Sequence, residues 1–347
     1  MKKVVFLLLA VVFISCNNSD VPDVSSIEMP LEVKRFEHDF FKIDTSNVAV
    51  AMQSLQKEYP GFLPDFVNNI LGLDIDSVLS PGNPQAEAIR IFLRDYKPLK
   101  DSADVLYKDF SVEQKELVHA MKLVKYYFPA YTLPHSVVTF IGPLDANFLT
   151  SFGTQGDVLT EYAFGVGLQL HLGGDFSVYK SNAGQVLYPE FISRNFDREH
   201  ITINCMRNVA DDMFPDKTTG KALLEQMVEK GKKLYLVSKF LPYDEEYNII
   251  GYTKEQMKAA YENEAVIWDF FLTNDLLNSG EQDLVKNYIG ESPKTQEFGD
   301  QSPGNLGSFA GWQIVKKYTS QRPELSLQHL MEMDPREIYS ASKYKPR

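Results

Sequence analysis

The chain has 347 residues, of which 44% are hydrophobic and 12% aromatic, and it carries a formal net charge of −12. This length and composition are typical of a globular protein with one large domain or two ordinary ones. An acidic chain without a cluster of Lys and Arg argues against nucleic acid as a partner, and against electrostatic docking on anionic lipids.

The first sixteen residues have the pattern of a bacterial lipoprotein signal. Lys2 and Lys3 precede an apolar run from Val4 to Ile14, which has the length of the apolar region of a signal peptide and is too short to span a bilayer. The small residue Ser15 then precedes Cys16, which would become the lipid-bearing N-terminus. An ordinary cleaved secretory signal and a chance apolar start are the alternatives.

Three segments are predicted on this basis: a lipoprotein signal peptide at 1–16, a flexible tether at 17–30 and a single globular domain at 31–347. The residues that follow Cys16 are rich in Ser, Asn and Asp, which is the composition of a tether. Several acyl chains on Cys16 would anchor the protein firmly. Cys205 would then have no cysteine to pair with, and its apolar surroundings predict a buried structural thiol.

The N-terminal third is predicted to be mainly helical after a short extended segment. Leu31 to Phe41 alternates apolar and charged residues, which indicates a strand or an extended arm that docks on the body. Apolar residues at helical spacing then predict helices at 48–59, 85–96 and 111–128. Ser111 and Gln114 have the spacing of a capping box at the start of the third helix.

The centre of the chain, from Val158 to Asp175, is predicted to hold the strands on which a site would be built. Val137 to Ile141 is a first strand, since it is β-branched and aromatic and is bounded by Pro and Gly. Tyr162 to Leu172 is predicted as a pair of extended segments in which leucines alternate with Gln and His. His171 and Asp175 would then line a cleft at a strand end. A surface strand residue followed by a turn Asp is the alternative.

The C-terminal half is predicted to be helical. The predicted helices are 199–213, 221–241, 254–272, one through Ala310 and Tyr318, and 325–333. Thr253 and Gln256 have the spacing of a capping box. Taken together, the elements predict an α+β fold that is mainly helical, with a small central sheet flanked by helices.

A search for catalytic and metal-binding motifs is negative. The sequence contains no His-Glu-x-x-His, no cysteine pair for zinc, no Asp-rich calcium loop, no phosphate-binding glycine loop and no Gly-x-Ser-x-Gly. Two further features are open to two interpretations. The segment Lys230-Gly231-Lys232-Lys233 is an anion site or a solvated helix face with close packing at Gly231. Four aromatic residues either line a groove or belong to the core: Tyr247, Tyr252, Trp268 and Trp312.

Several stretches together carry a resemblance to one family. They are 167–173 with Asp175 and Tyr179, 231–235, 251–253, Asn263-Glu264 with Trp268, 302–304, Gly311-Trp312-Gln313-Ile314-Val315, and 342–346. The chain resembles, over nearly its whole length, the gliding motility lipoproteins of the GldB family of Bacteroidetes. This resemblance implies a lipid-anchored protein of the Gram-negative cell envelope, on the periplasmic face or the cell surface. Members also occur in bacteria that do not glide.

The family is also distantly similar to predicted zinc-dependent peptidases, which carry His-Glu-x-x-His on one helix and a Glu before a Gly on the next. In that register Asn204 to Asn208 takes the place of the motif, and Lys230 takes the place of the third ligand. Amides are poor zinc ligands, an ammonium group repels the metal, and Cys205 cannot replace the general-base Glu. The resemblance therefore implies a degenerate zincin-like core without metal or cofactor, and it makes Asn204, Asn208 and Lys230 candidate cleft residues.

The expected function is that of a pseudoenzyme: a non-catalytic binding or scaffolding subunit of a motility- or secretion-linked envelope assembly. Its partners would be the membrane, through the lipid, and an envelope protein. One alternative is an active hydrolase or metallopeptidase with a non-standard site that uses His171, Asp175 or Glu199-His200, which a cleft-lining pair with shifted pKa values would favour. The other is a peptide- or glycan-binding lipoprotein, which requires Trp268 or Trp312 to be exposed.

Overall fold

The computed structural model describes residues 21–299 and 302–346. The predicted signal peptide, Cys16 and the first part of the tether lie outside these residues and stay predictions. In the described part of the tether, Val24 is buried and its carbonyl accepts a hydrogen bond from the Ile27 N–H at 3.1 Å. No helix within the described ranges combines the length and the apolar character needed to cross a membrane.

The strands of the described chain are β1 Glu32–Arg35, β2 Ser136–Phe140, β3 Phe148–Thr150, β4 Gly153–Gln155, β5 Val158–Leu159 and β6 Ala163–Gly167. Four of them form one sheet in the order β1-β2-β6-β5, in which β1, β2 and β6 are parallel and β5 is antiparallel to β6. Both β2 and β6 are almost entirely buried, as expected for parallel strands covered on both faces. Strands β3 and β4 form a separate hairpin. The predicted strand at 137–141 is confirmed. The predicted extended arm at 31–41 is confirmed at β1 and wrong beyond it, because Phe36–Phe40 is a helix.

The prediction that an extended strand continues to Leu172 is wrong. Leu168–Leu170 forms a 3₁₀ turn, and the whole segment from Leu168 to His171 is buried, so it has no solvent-facing polar side. Internal hydrogen bonds hold both polar side chains: Gln169 Oε1 accepts from the Gly142 N–H at 2.9 Å, and both ring nitrogens of His171 have partners, while Gln169 Nε2 has none among the described residues. Alternating polarity was therefore a misleading signal here, because internal hydrogen bonds allow polar side chains to be buried.

The α-helices of the described residues are α1 Phe36–Phe40, α2 Val48–Glu58, α3 Phe62–Asp65, α4 Ile75–Val78, α5 Gln85–Leu106, α6 Ser111–Tyr127, α7 Ser177–Lys180, α8 Asn182–Leu187, α9 Glu190–Ser193, α10 Glu199–Met213, α11 Leu223–Phe240, α12 Glu246–Ile250, α13 Lys254–Glu262, α14 Glu264–Thr273, α15 Gln282–Ile289, α16 Leu306–Ser320, α17 Leu327–Glu332 and α18 Pro335–Ser342. The predicted mainly helical α+β fold is confirmed. Helix α10 has the bounds that the sequence predicted.

Local signals at helix ends were correct in one case and wrong in another. Thr253 and Gln256 form the predicted capping box, with hydrogen bonds of 3.0 and 3.1 Å. Gln114 instead donates a hydrogen bond to the Leu31 carbonyl at 2.7 Å, so it fixes the docking arm and does not cap α6. The predicted helix at 254–272 is two helices that meet at Asn263, whose side-chain amide donates to the Ala259 carbonyl at 2.8 Å.

Helix α11 is central to the C-terminal half, where it packs on α10, α16 and α18. It crosses α16 backbone to backbone: a Cβ added to Gly231 would lie 2.3 Å from the Gly311 carbonyl carbon, and one added to Gly311 would lie 1.8 Å from the Met227 oxygen. The predicted close packing at Gly231 is confirmed. The predicted solvated lysine face is wrong, because Lys232 and Lys233 are buried.

Candidate functional site

A buried polar cluster lies where β6 and the 3₁₀ turn meet α10, and Asp157 is its centre. The Asp157 carboxylate accepts hydrogen bonds from His171 Nε2 at 2.8 Å, from Asn204 Nδ2 at 2.8 Å and from the Gly167 N–H at 3.0 Å. Asp157 and His171 are each 1% exposed. Asn204 and Asn208 are four residues apart on α10, and this spacing puts both amides on the face that meets Asp157.

His171 is held in its protonated form by this arrangement. Its Nδ1 lies 2.8 Å from the Asp197 carbonyl and its Nε2 faces Asp157, so both ring nitrogens donate, which requires the imidazolium. Burial, the largest single influence, would lower the pKa of His171. The charge of Asp157 and its hydrogen bond outweigh burial, and the pKa is raised above its ordinary value.

The two α10 amides are also fully used. Asn204 Oδ1 accepts a hydrogen bond from Arg207 Nη1 at 3.2 Å. Asn208 Nδ2 donates to the Asp157 carbonyl at 3.1 Å, and Asn208 Oδ1 accepts from Gln155 Nε2 at 2.5 Å. The structure therefore brings His171, Asn204 and Asn208 together as sequence analysis suggested, but around a carboxylate that the sequence analysis did not single out.

The predicted pair of His171 with Asp175 is wrong. The Asp175 side chain is fully exposed in the turn after the 3₁₀ segment, with Lys180 Nζ at 3.5 Å. His200 forms its own pair, with Nδ1 at 2.8 Å from Asp197 Oδ1. The sequence does not mark Asp157 as a site residue, because it belongs to no motif. It lies in the short link between β4 and β5, one residue before the central segment that begins at Val158.

Lys230 lies apart from the Asp157 cluster, beside a second polar group. Its Nζ donates to the Ser151 carbonyl, while the neighbouring Lys233 binds Asp211 Oδ1 at 2.6 Å and Ser151 Oγ at 3.0 Å. Burial lowers the pKa of Lys230, and the positive charge of Lys233 acts in the same direction. Lys230 is therefore a partly desolvated cation whose closest bond is to a neutral oxygen.

The residues at the predicted metal position do not fit a zinc ion. The two amides bind Asp157, His171 uses both ring nitrogens, and Lys230 presents an ammonium group. Over residues 21–299 and 302–346, no group of three or more His, Cys, Asp or Glu side chains is placed to hold a metal ion. Cys205 is buried, as predicted, and burial raises the pKa of its thiol.

A cleft of about 570 Å³ lies next to the Asp157 cluster. Its walls come from the β3–β4 hairpin, α10, α11, α15 and the N-terminus of α16. Arg207 reaches it from α10, where Nη2 also donates to the Ile249 carbonyl at 3.0 Å and the guanidinium lies over the Phe152 ring at 5.5 Å. Burial lowers the pKa of Arg207 to about 10. Lys230 lines the same cleft, so the two cations share one cavity.

A second cavity, of about 530 Å³, is acidic. Glu116, Glu199 and Asp244 line it together with His119. Burial and then the charges of Glu116 and Glu199 raise the pKa of Asp244 to about 6, and burial together with Glu113 raises the pKa of Glu116. Two carboxyl groups of this cavity, Asp244 and Glu116, therefore have raised pKa values.

The aromatic groove is not present. Trp268 is 4% exposed and Trp312 is fully buried, so both belong to the core. Tyr252 is buried as well, and its hydroxyl donates to the Gly304 carbonyl at 3.0 Å. The core interpretation is therefore confirmed for both tryptophans, and the alternative, a glycan- or peptide-binding groove built from them, is removed.

The fold and the cleft define a mainly helical α+β protein with a ligand-sized cavity between its hairpin and its C-terminal helices. The chain belongs to the family of the gliding motility protein GldB, a lipoprotein family, whose family model matches residues 17–346. This match confirms the predicted family. No curated protein and no solved structure matches the chain.

Proposed function

We propose that this protein is a non-catalytic binding or scaffolding subunit of an envelope assembly linked to gliding motility, held at a membrane by lipid on Cys16. The observation that carries the proposal is the Asp157 cluster. Asn204 and Asn208, which the resemblance to peptidases puts in place of metal ligands, are buried and bind Asp157 together with His171. Groups that are saturated in this way stabilise a fold and are not free to activate water.

The degenerate zincin-like core is part of this proposal. Helix α10 presents Asn204 and Asn208 on one face beside the sheet, and α11 carries Lys230 before Gly231 at the predicted third position. His171 contacts no described cavity large enough for a substrate, so a general-base role would lack access to a reacting group. The cleft with Arg207 and Lys230 supports a binding role instead.

The proposal is tested by metal content and peptidase activity of the full chain, purified in detergent without a histidine tag. We expect no stoichiometric metal and no cleavage of a mixed peptide library. One tightly held zinc ion per chain together with cleavage would overturn the non-catalytic reading. Lipid attachment is tested separately: labelled palmitate should enter the wild-type chain and fail to enter Cys16→Ser.

A second candidate is a hydrolase whose acid–base groups lie in the acidic cavity. Asp244, with its pKa of about 6, and Glu199 line this cavity together, and a carboxyl group that titrates near the working pH suits general acid or base catalysis. Activity on any peptide, ester or glycoside substrate that Asp244→Asn abolishes, and Asp175→Asn leaves unchanged, would establish this candidate. Activity in neither variant nor wild type would remove it.

A further inference from the structure

The cleft contains two cations, the buried Arg207 and the half-buried Lys230, that form no ion pair with a carboxylate of the described residues. Arg207 is 8% exposed, and Lys230 donates to the neutral carbonyl of Ser151. Their neighbours on α11 differ: Lys232 and Lys233 pair with Glu229 at 2.9 Å and with Asp211 at 2.6 Å. Among the described residues, no carboxylate oxygen lies within 4 Å of the charged nitrogens of Arg207 or Lys230. The charge of Glu291 acts on Arg207, and that of Asp216 on Lys230, only from beyond this distance. Buried charges are normally paired at contact distance, so both cations keep bonding capacity for an anionic ligand.

Three polar atoms of the cleft residues also lack a hydrogen-bond partner within the described part of the chain. They are Arg207 Nε, Ser308 Oγ and Asn305 Oδ1. Ser308 is 1% exposed. Nearly all buried polar atoms are hydrogen-bonded, so these three atoms indicate the groups that a ligand would supply. They are acceptors for the Arg207 N–H and the Ser308 O–H, and a donor for the Asn305 amide oxygen.

The N-terminus of α16 adds to the positive potential of the cleft. The helix has 15 residues and begins at Leu306 after Asn305, which has a left-handed backbone (φ 59°) and makes no side-chain cap. The first N–H groups of a helix have no partner within the helix, and its dipole favours an anion there. Ser308 lies in this first turn and lines the same cleft as Asn305.

The remaining lining limits the charge and shape of the ligand. Lys286 adds a third cation at the rim, while Asp216 and Glu291 contribute two carboxylates, so a single negative charge matches the cleft better than a dianion. The apolar part of the wall includes Phe152, Ile249 and Ile250. Its volume of about 570 Å³ suits a ligand of a few residues.

We propose that this cleft binds the C-terminal carboxylate of a peptide segment that ends in an apolar residue. Arg207 Nε and Ser308 Oγ donate to the carboxylate oxygens, and Lys230 with the α16 N-terminus supplies the opposing charge. Asn305 Oδ1 accepts the N–H of the last peptide bond, and the apolar side chain packs between the hairpin and α12. The inference rests on the binding role proposed above and names its ligand class.

The test is calorimetric titration of the full chain at pH 7 with N-acetyl-Ala-Ala-Leu, with its C-terminal amide, with hexanoate and with inorganic phosphate. We expect the free-acid peptide to bind, and the amide to bind at least about tenfold more weakly, because it lacks the charge-assisted hydrogen bonds. Hexanoate should bind more weakly than the peptide, because it has no N–H for Asn305. Phosphate should not compete at equal concentration.

Variants locate the site. Ser308→Ala and Lys230→Met should each weaken binding of the free acid by about tenfold. Arg207→Gln should weaken it further. Because Arg207 also holds α10 to α12, the first two variants carry the conclusion. The matched control is Lys317→Met, an exposed lysine near the other end of α16, which should leave binding unchanged.

Each outcome has one meaning. Equal binding of acid and amide, full affinity in Ser308→Ala and Lys230→Met, or no binding by the wild-type chain would overturn the carboxylate site and leave the scaffolding role standing. Tighter binding of phosphate or hexanoate would overturn the peptide assignment. Cleavage of the probe peptide would overturn the non-catalytic role and leave carboxylate recognition intact.

Discussion

Two polar regions meet at α10, and they differ in whether their groups are satisfied. In the Asp157 cluster every hydrogen-bonding side-chain atom of His171, Asn204 and Asn208 has a partner, and Gln155 Oε1 at its edge is the exception. In the neighbouring cleft, Arg207 and Ser308 keep atoms without one. The first region therefore stabilises the fold, and the second has unpartnered polar atoms with which a ligand would form hydrogen bonds. The difference also shows why a list of polar residues near a helix does not by itself mark a site.

Removal of the central carboxylate should have the largest effect on stability. Asp157→Asn leaves the His171 imidazolium buried without its counter-charge, and breaking a buried pair from one side costs about 3–5 kcal/mol. The free energy of unfolding from denaturant titration measures this loss. Asp175→Asn, which changes an exposed carboxylate on the same segment, should change it by less than about 0.5 kcal/mol. Equal effects of the two variants would contradict the distinction between the regions.

Lys230 and Lys233, one turn apart on α11, should differ in their effect on stability. Lys233→Met breaks the pair with Asp211 and should cost about 2 kcal/mol, since it leaves a partly buried carboxylate without its counter-charge, held only by the N–H and the hydroxyl of Ser151. Lys230→Met should change stability by less than about 1 kcal/mol, because the cation has no carboxylate to leave behind and a methionine fills similar space. Thermal or denaturant unfolding measures the loss of stability in each variant. A loss as large for Lys230→Met would place Lys230 among the structural groups.

The pH dependence of stability should report on His171. Its folded-state pKa is raised, so its contribution is fully present below the unfolded-state pKa of about 6.5 and is lost as pH rises through the folded-state value. Each unit by which the folded-state pKa exceeds the unfolded-state pKa stabilises the folded protein by about 1.4 kcal/mol. Unfolding free energies of the wild type and His171→Gln should converge as pH increases above 6.5. Parallel curves would show that the histidine is neutral in the folded protein.

The acidic cavity should show the smallest effect, and with the opposite sign. The folded-state pKa of Asp244 is raised to about 6 from 3.8, so the folded chain holds this proton more tightly and loses stability as pH rises from about 4 to 6. Asp244→Asn should therefore stabilise the protein at pH 7, by roughly 1 kcal/mol because solvent still screens this carboxyl. Denaturant titration at pH 4 and pH 7 measures the gain, and a stability loss at pH 7 would contradict it.

The sequence predicted the helices better than the site. Long periodic segments such as Glu199–Met213 were found with correct ends, because one buried face imposes the helical period on its residues. The site depends on contacts that carry no such period. Asp157 follows Gly156 in a two-residue link, and the partners of its carboxylate are 10 to 47 residues away, so only the folded chain brings them together. Ser308 and Asn305 were missed for the same reason.

One consequence of the crossing of α11 and α16 concerns the dimensions of the cleft. Gly231 and Gly311 bring the two main chains into direct contact, and Lys230 and Ser308 stand one and three residues before them. The separation of the backbones at these two cleft residues is thus set by the direct contact of the two helices at Gly231 and Gly311. Exchanging side chains in the cleft alters what it recognises without altering its width.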